Sequence, residues 1–241
     1  MSGPLADRVV ALAGAAGALG PHVARALADA GATVALADVA EERVTALADA
    51  LALPPARVDA AAVDLLADGG AERWAARLRD RFGRVDGLVH AVGGWRGGAA
   101  SATAPASHWS ELEPLLIRTV QHATRAFHAA LAASPHGRFV LMSAKQARRP
   151  TGTNAAYAAA KAAAEAWTFA LAEDFASRGA AATANVVAIN ALVTPQMRAQ
   201  QPEKDFAAYT DADEVAAAIV FLLSDAARKV NGQRLALYAE S

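Results

Sequence analysis

The chain has 241 residues, of which 54% are hydrophobic, and its formal net charge is −1. A chain of this length can bury a large core, so a single domain over residues 1–241 is expected. The balanced charge, without a basic block, argues against nucleic acid or an anionic membrane as partner. The absence of cysteine excludes disulfides and thiolate chemistry, and the histidines lack metal-ligand spacing, so we predict no metal site. With no leader-like start and no apolar run of membrane-spanning length, a cytoplasmic location is expected.

The first elements predict a nucleotide-binding turn. Residues 8–13 are typical of a short buried strand, and the amphipathic segment 21–30 predicts a helix. The turn between them contains Gly14, Gly17, Ala18, Leu19 and Gly20. Small residues let the backbone turn tightly and let a pyrophosphate approach the helix N-terminus, where unpaired N–H groups and the helix dipole favour an anion. These five residues are therefore candidates for cofactor binding.

The second strand ends on a carboxylate. A strand is predicted at 33–37, and Asp38 follows it about twenty residues after the glycine turn. A carboxylate here can accept hydrogen bonds from both hydroxyls of an adenosine ribose and would repel a 2′-phosphate. NAD is therefore favoured, with NADP as the other possibility. The alternative is that Asp38 only caps the helix that starts near Glu41.

The rest of the chain alternates helix and strand. Helices are predicted at 41–51, 71–82, 109–133 and 212–224, with a further helix around Tyr157. Strands are predicted at 58–63, 87–92, 138–142, 183–189 and 234–238. Regular alternation of this kind predicts an α/β fold with one doubly wound, Rossmann-type parallel sheet of about seven strands. Ligands would bind at the carboxyl ends of those strands.

A tyrosine and a lysine are spaced for proton transfer. Tyr157 and Lys161 lie four residues apart in an alanine-rich segment. Four residues is one helical turn, so the phenol and the ammonium should share one helix face. A neighbouring cation should lower the phenol pKa from its ordinary value near 10 and make the hydroxyl a usable acid or base. The alternative is an accidental pair on a solvated helix face.

These motifs together resemble the short-chain dehydrogenase/reductase family over essentially the whole chain. The resemblance implies that Tyr157 is the catalytic acid/base and that Lys161 also holds the nicotinamide ribose. It places Asp64 beside the adenine. Other cofactor-binding residues implied by it are Leu65, Ala91, Val92, Gly93 and Thr194. The threonine would touch the nicotinamide carboxamide, or alternatively cap a helix before Pro195. The family also implies a substrate lid near 193–212 and a homodimer or homotetramer built on alanine-rich helices.

Two members of the family's catalytic tetrad are missing. The serine position, thirteen residues before the tyrosine, is Ala144, and no asparagine occurs at 109–122. Several departures resemble one branch of the family, the quinonoid dihydropteridine reductases, notably the Gly93-Gly94-Trp95 loop and Ala144-Lys145. In that branch NADH reduces an electron-poor quinonoid ring. Trp95 could stack on such a ring or pack over the core edge, and Gln146, with Ala144 and Tyr157, is a candidate for substrate binding.

The expected function is hydride transfer between nicotinamide and a small conjugated or cyclic carbonyl, imine or quinonoid substrate, with Tyr157 as proton donor. Losing one hydroxyl donor matters less for such a substrate than for a simple ketone. Two alternatives stay open. One is a secondary alcohol dehydrogenase or ketoreductase that works without the serine. The other is a cofactor-binding scaffold without catalysis, although a scaffold has no need for the spacing of Tyr157 and Lys161.

Overall fold

The computed structural model describes residues 3–239. Within that range the strands are β1 (Val9–Ala13), β2 (Thr33–Asp38), β3 (Val58–Ala62), β4 (Gly87–His90), β5 (Arg138–Ala144), β6 (Thr183–Ile189), β7 (Leu192–Val193), β8 (Thr210–Asp211) and β9 (Arg234–Ala236). The helices are α1 (Gly20–Asp29), α2 (Glu41–Leu51), α3 (Gly70–Phe82), α4 (Ser107–Glu113), α5 (Thr119–Ala133), α6 (Ala155–Ser177), α7 (Pro195–Gln200) and α8 (Ala212–Leu223). None of the helices in residues 3–239 is long and apolar enough to cross a membrane.

Seven strands form one sheet in the order β3-β2-β1-β4-β5-β6-β9, and every pair in it is parallel. This confirms the predicted doubly wound α/β fold. The strand order reverses between β1 and β4, which lie side by side although two helix-strand units separate them in sequence. The loops leaving these two strands therefore turn to opposite faces of the sheet, which opens a crevice at their carboxyl ends.

The core lies on both faces of the sheet. One cluster packs α1 and α8 on residues such as Leu12 and Leu36, and the other packs α3, α5 and α6 on residues such as Phe139. On the second face Trp74 meets Phe127 edge to face, with ring centroids 4.9 Å apart. Strands covered on both faces need continuous apolar sequence, and β1 is accordingly buried at all five positions.

The structure differs from the sequence prediction around Pro114. A single helix was expected at 109–133, but α4 ends at Glu113, a π-helical turn occupies Pro114–Arg118, and α5 then begins. A proline inside a helix lacks the N–H donor and its ring clashes with the preceding turn, so the local hydrogen bonding must change. The wider turn is stabilised by Thr119, whose hydroxyl donates to the Leu115 carbonyl at 2.6 Å.

Three strand ends also move by two residues. The fourth strand ends at His90 rather than at residue 92, the fifth ends at Ala144 rather than at 142, and the last ends at Ala236 rather than at 238. The predicted polar segment up to Tyr209 contains α7, and its two flanks, β7 and β8, pair in a small parallel sheet. The segment predicted as a lid is thus tied down at both ends.

Candidate active site

A cleft of about 1070 Å³ lies at the carboxyl ends of the strands, where the strand order reverses. Most of the residues predicted from sequence as site residues line it, although they come from six separate segments of the chain. These residues are Gly14, Gly17, Ala18, Leu19, Asp38, Asp64, Leu65, Ala91, Val92, Gly93, Trp95, Ala144, Gln146, Tyr157 and Lys161. Among residues 3–239 there is no group of three or more His, Asp or Glu side chains placed to hold a metal ion.

The glycine turn is shaped for a close ligand. Gly14 has a φ of +81°, and a Cβ at this position would lie 2.7 Å from the Ala91 carbonyl carbon. The turn is held by the neighbouring strand, because the Gly14 N–H donates to the Ala37 carbonyl at 2.9 Å. Gly17 and Ala18 are exposed in the turn just before α1. A backbone this free of side chains, at a helix N-terminus, fits the pyrophosphate of a dinucleotide.

Asp38 stands at the end of β2, facing the same cleft. One of its carboxylate oxygens accepts from the Ala16 N–H at 3.0 Å, and the other accepts from the Ala40 N–H at 3.2 Å. The carboxylate is therefore fixed against the glycine turn, and its remaining lone pairs are free to accept ribose hydroxyls. Arg43, which sequence analysis did not single out, also lines the cleft here, and its guanidinium donates to the Ala16 carbonyl.

The other predicted cofactor residues surround the turn. Asp64 is exposed just after β3, and one of its carboxylate oxygens accepts from the Leu66 N–H at 2.8 Å. Leu65 is buried, and Ala91 is anchored by its N–H donating to the Ala13 carbonyl at 2.9 Å. These residues reach the cleft because β3 and β4 stop before them.

Tyr157 and Lys161 both face the cleft from α6. The lysine was predicted to lower the pKa of the phenol, and the structure gives the opposite direction. Burial raises the pKa of the Tyr157 phenol to about 12 instead of lowering it. The Lys161 ammonium donates to the Met142 carbonyl at 2.9 Å, on the neighbouring strand β5. Burial lowers the pKa of Lys161 to about 8, against the opposing influence of the Glu165 carboxylate. The expected lowering of the phenol pKa is therefore wrong, because burial disfavours the charged phenolate.

At neutral pH this arrangement leaves both groups protonated. A phenol with a pKa near 12 holds its proton until a stronger base forms beside it. Lys161 keeps its charge up to about pH 8. The pair is thus set to give a proton away rather than to accept one.

A neutral histidine lies behind the pair. His90 ends β4, is 1% exposed, and has its Nε2 atom 3.1 Å from the Thr119 hydroxyl. Since that hydroxyl already donates to Leu115, His90 must donate from Nε2, and its Nδ1 atom has no partner among residues 3–239. Burial and, less strongly, the Lys161 charge lower its pKa to about 3, so it carries no charge beside the lysine.

The position of the missing serine holds a buried methyl group, since Ala144 is 4% exposed. The neighbouring Ser143 does not replace it, because its hydroxyl donates to the Glu165 carboxylate at 2.6 Å. Side chains alternate along a strand, so residues 143 and 144 present their side chains to opposite faces. Ser143 also lines the cleft, but its hydroxyl is engaged by Glu165 and makes no hydrogen bond with Tyr157 in residues 3–239.

The substrate end of the cleft is mainly apolar. Trp95 is 58% exposed, and its ring lies against Gly97, where a Cβ would come within 2.7 Å of the ring. The wall includes Leu115, Leu192 and Tyr209, none of which sequence analysis had named as site residues. Gln146 supplies a polar group, since its side-chain oxygen is buried without a partner in the described part of the chain.

Two predicted cofactor residues do not line the cleft. Gly20 is a packing requirement, because a Cβ there would lie 2.0 Å from the Ala15 carbonyl oxygen. Thr194 is 7% exposed and caps α7, with its hydroxyl accepting from the Met197 N–H at 3.2 Å. This is the capping alternative that its place before Pro195 suggests. A role for Thr194 at the cofactor stays a prediction.

The sheet and its cleft define a Rossmann-type dinucleotide-binding fold. A family model described as Enoyl-(Acyl carrier protein) reductase matches residues 14–237, nearly the whole chain. The chain therefore belongs to the short-chain dehydrogenase/reductase family of oxidoreductases, which confirms the resemblance to that family and leaves the resemblance to the quinonoid dihydropteridine reductases a prediction.

Relatives match along almost their full length. The chain is 29% identical to subunit BbsD of (2S)-[(R)-hydroxy(phenyl)methyl]succinyl-CoA dehydrogenase from Thauera aromatica, over 95% of this chain and 94% of that protein. It is also 29% identical to levodione reductase from Leifsonia aquatica, over 93% of this chain and 90% of that enzyme. A short-chain oxidoreductase from Pseudomonas aeruginosa PAO1, described as containing an atypical catalytic center, has the same fold, with a TM-score of 0.87 at 24% identity over 98% and 99% of the two chains. That oxidoreductase is also known with NADPH bound.

The buried lysine predicts a pH-dependent stability. In the unfolded chain Lys161 keeps its proton up to about pH 10.4, whereas in the folded protein it loses the proton near pH 8. Between these values the unfolded state binds more protons, so the free energy of unfolding rises with pH by up to about 1.4 kcal/mol per unit. Urea unfolding at about pH 7.5, 8.5 and 9.5 measures this slope. Lys161→Met is the control and should flatten it, whereas an equal slope in both proteins would contradict the assignment.

Proposed function

We propose that the protein is an NAD(H)-dependent reductase of a small, flat, conjugated or cyclic carbonyl, imine or quinonoid compound, with Tyr157 as proton donor. The observation that carries the proposal is the cleft itself. Tyr157 and Lys161 line its substrate end, and the buried methyl group of Ala144 occupies the position of the family's serine hydroxyl. The glycine turn and Asp38 fit a dinucleotide at the other end.

The proposed reaction needs one hydride and one proton. The glycine turn and Asp38 would hold NADH, which when bound would supply the hydride to the substrate. The Tyr157 hydroxyl donates its proton to the oxygen or nitrogen that gains the electron pair, so that a C=O group becomes CH–OH or a C=N group becomes CH–NH. The Lys161 ammonium stabilises the phenolate that remains. Because the phenol is protonated at neutral pH, Tyr157 carries the proton that the reduction consumes.

The substrate class follows from what the cleft lacks and offers. Without a serine hydroxyl, the site polarises a carbonyl less strongly, which an electron-poor conjugated system tolerates better than a simple ketone. The exposed ring of Trp95 offers a flat apolar surface for stacking. The unpartnered oxygen of Gln146 would accept a hydrogen bond from an N–H or O–H group of the substrate. These features support the resemblance of residues 93–98 and Ala144-Lys145 to the quinonoid dihydropteridine reductases.

Two other readings remain. A secondary alcohol dehydrogenase or ketoreductase without the serine is supported by the relatives, whose names describe a hydroxyacyl-CoA dehydrogenase and a levodione reductase. A non-catalytic scaffold is disfavoured by the buried Lys161, because keeping a buried lysine so close to a titratable phenol costs stability and serves no packing purpose. Measuring NADH oxidation with quinonoid pterins, quinones and ketones separates the three readings.

Cofactor choice rests on two opposing side chains. The fixed carboxylate of Asp38 favours ribose hydroxyls and repels a 2′-phosphate. The guanidinium of Arg43 lies at the same end of the cleft and would attract one. Arg43 donates to the Ala16 carbonyl and keeps further N–H groups, but the Asp38 carboxylate is fixed directly against the glycine turn, so we propose that NADH is preferred. The structural neighbour from Pseudomonas aeruginosa is known with NADPH bound, and NADP(H) is therefore the second candidate cofactor.

We expect NADH to bind more tightly than NADPH, and titration by nucleotide fluorescence measures both. Asp38→Ala should narrow the difference by removing the repulsion, and Arg43→Ala should widen it. Equal or tighter binding of NADPH by the parent protein would overturn the preference.

Assembly into a homodimer or homotetramer is also proposed. The surface of α6 carries an exposed stripe of alanines at 159, 163, 166 and 170, spaced to lie along one face of the helix. A second helix can approach such a face closely. Light scattering at micromolar concentration should give a mass of at least two chains, and Ala166→Arg should lower it. A parent protein that is monomeric would contradict the proposal.

The role of Tyr157 has a direct test. Tyr157→Phe keeps the packing of the ring and removes only the transferable proton, so turnover should fall by roughly two to four orders of magnitude while NADH binding is unchanged. The complementary variant Ala144→Ser should leave the rate on an electron-poor substrate nearly unchanged and increase the rate on simple ketones. Parent-like turnover by Tyr157→Phe on a proven substrate would refute the mechanism.

A further inference from the structure

A buried carboxylate lies one helical turn beyond the catalytic lysine. Glu165 is 4% exposed and follows Lys161 by four residues on α6. The Ser143 hydroxyl donates to it at 2.6 Å, and the Nε atom of Arg234 donates to its two oxygens at 3.0 and 3.1 Å. The carboxylate is thus held from two strands, β5 and β9, and its orientation is fixed.

The same cluster anchors the strand that holds the lysine. Arg234 Nη2 donates to the Ala144 carbonyl at 3.0 Å, two residues after the Met142 carbonyl that accepts from the Lys161 ammonium at 2.9 Å. Arg234 itself is fixed at its outer end, where Nη1 donates to the Tyr238 hydroxyl at 2.6 Å. One hydrogen-bonded network therefore joins α6, the end of β5 and β9.

We propose that Glu165 is a positioning residue, whose buried carboxylate keeps the Lys161 ammonium charged and in place at the pH at which the protein works. Residues four apart on a helix are neighbours, so this negative charge acts on the lysine across one turn. Glu165 opposes the burial that lowers the pKa of Lys161. The consequence for turnover rests on the proposed function, but the effect on Lys161 does not.

Several charged or titratable groups surround the pair. Lys161 is faced by Tyr157 and Glu165 on its own helix and by the neutral His90 from β4. Glu165 is faced by Arg234 from β9 and by Arg148 after β5, whose Nε atom lies 3.7 Å away. Arg148 is largely exposed, so water screens its charge. The remaining cation, Arg234, is paired with Glu165, and removing Glu165 alone would leave the buried guanidinium without compensation.

The competing explanation is that the ion pair only cross-links α6 and β9. Both explanations predict a loss of stability when Glu165 alone is neutralised, because a buried unpaired arginine is costly. A double replacement separates them. With Glu165→Gln and Arg234→Gln together, the network keeps hydrogen-bonding groups and loses both charges, which a folded protein tolerates far better.

The test compares the parent with the double variant by two measurements. The first is the pH at which the free energy of unfolding begins to rise, which reports Lys161 in the protein without cofactor. The second is the alkaline limb of the pH–rate profile for NADH oxidation. We expect both to move to lower pH by about one unit, so that the ratio of turnover at about pH 8 to turnover at about pH 6.5 is about fourfold lower in the double variant than in the parent. Asp59→Asn is the control, since Asp59 is equally buried between Arg77 and Arg81 and lies outside the cleft. It should lower the free energy of unfolding, and it should leave unchanged both the pH at which that free energy begins to rise and the pH of the alkaline limb.

Each outcome has one meaning. A shift of both pH values to lower pH supports the positioning role. If the pH at which the free energy of unfolding begins to rise is unchanged, the positioning role is overturned, whatever the activity. The pH at which the free energy of unfolding begins to rise could also shift in a protein that oxidises NADH with none of the substrates tested. That result supports the effect of Glu165 on Lys161 and counts against the proposed function instead.

Discussion

The site depends on a lysine ammonium buried inside the protein. Lys161 is 6% exposed, and a charge removed from water is tolerated only where hydrogen bonds and opposite charge replace the solvent. The Met142 carbonyl and the Glu165 carboxylate provide this replacement. Both are available because α6 packs against β5, with the small side chain of Ala164 buried in the same cluster as Leu141.

The same burial acts in opposite directions on the two proton-carrying groups. It raises the pKa of Tyr157 to about 12 and lowers that of Lys161 to about 8. An acid and a base in one desolvated site are each pushed towards the neutral form. The phenol is consequently protonated at neutral pH. The lysine is still a cation there, but its pKa is only about one unit higher. This combination suits proton donation to a substrate that has just gained a hydride.

Much of the fold and part of the site could be predicted from the sequence. The glycine turn, Asp38 and the Tyr157–Lys161 pair are local patterns, and the spacing of strands and helices determines that their ends meet at one edge of the sheet. The interruption at Pro114 had a visible signal in the proline itself. The pKa of Tyr157 had none, because its burial depends on how α4 and the π-helical turn, through Leu112 and Leu116, pack against α6. Arg43 and the Glu165–Arg234 pair were also missed, since the latter joins residues 69 positions apart.

The central claim is that Tyr157 keeps its proton at the pH at which the protein works. It can be measured without a substrate, by following the near-ultraviolet absorbance of tyrosinate as the pH is raised and subtracting the same titration of Tyr157→Phe. The chain contains three tyrosines, so the difference isolates one of them. Our account predicts that Tyr157 ionises near pH 12, or only when the protein unfolds. Ionisation of Tyr157 near pH 7 to 8 in the folded protein would mean that Lys161 dominates over burial, and would contradict the account.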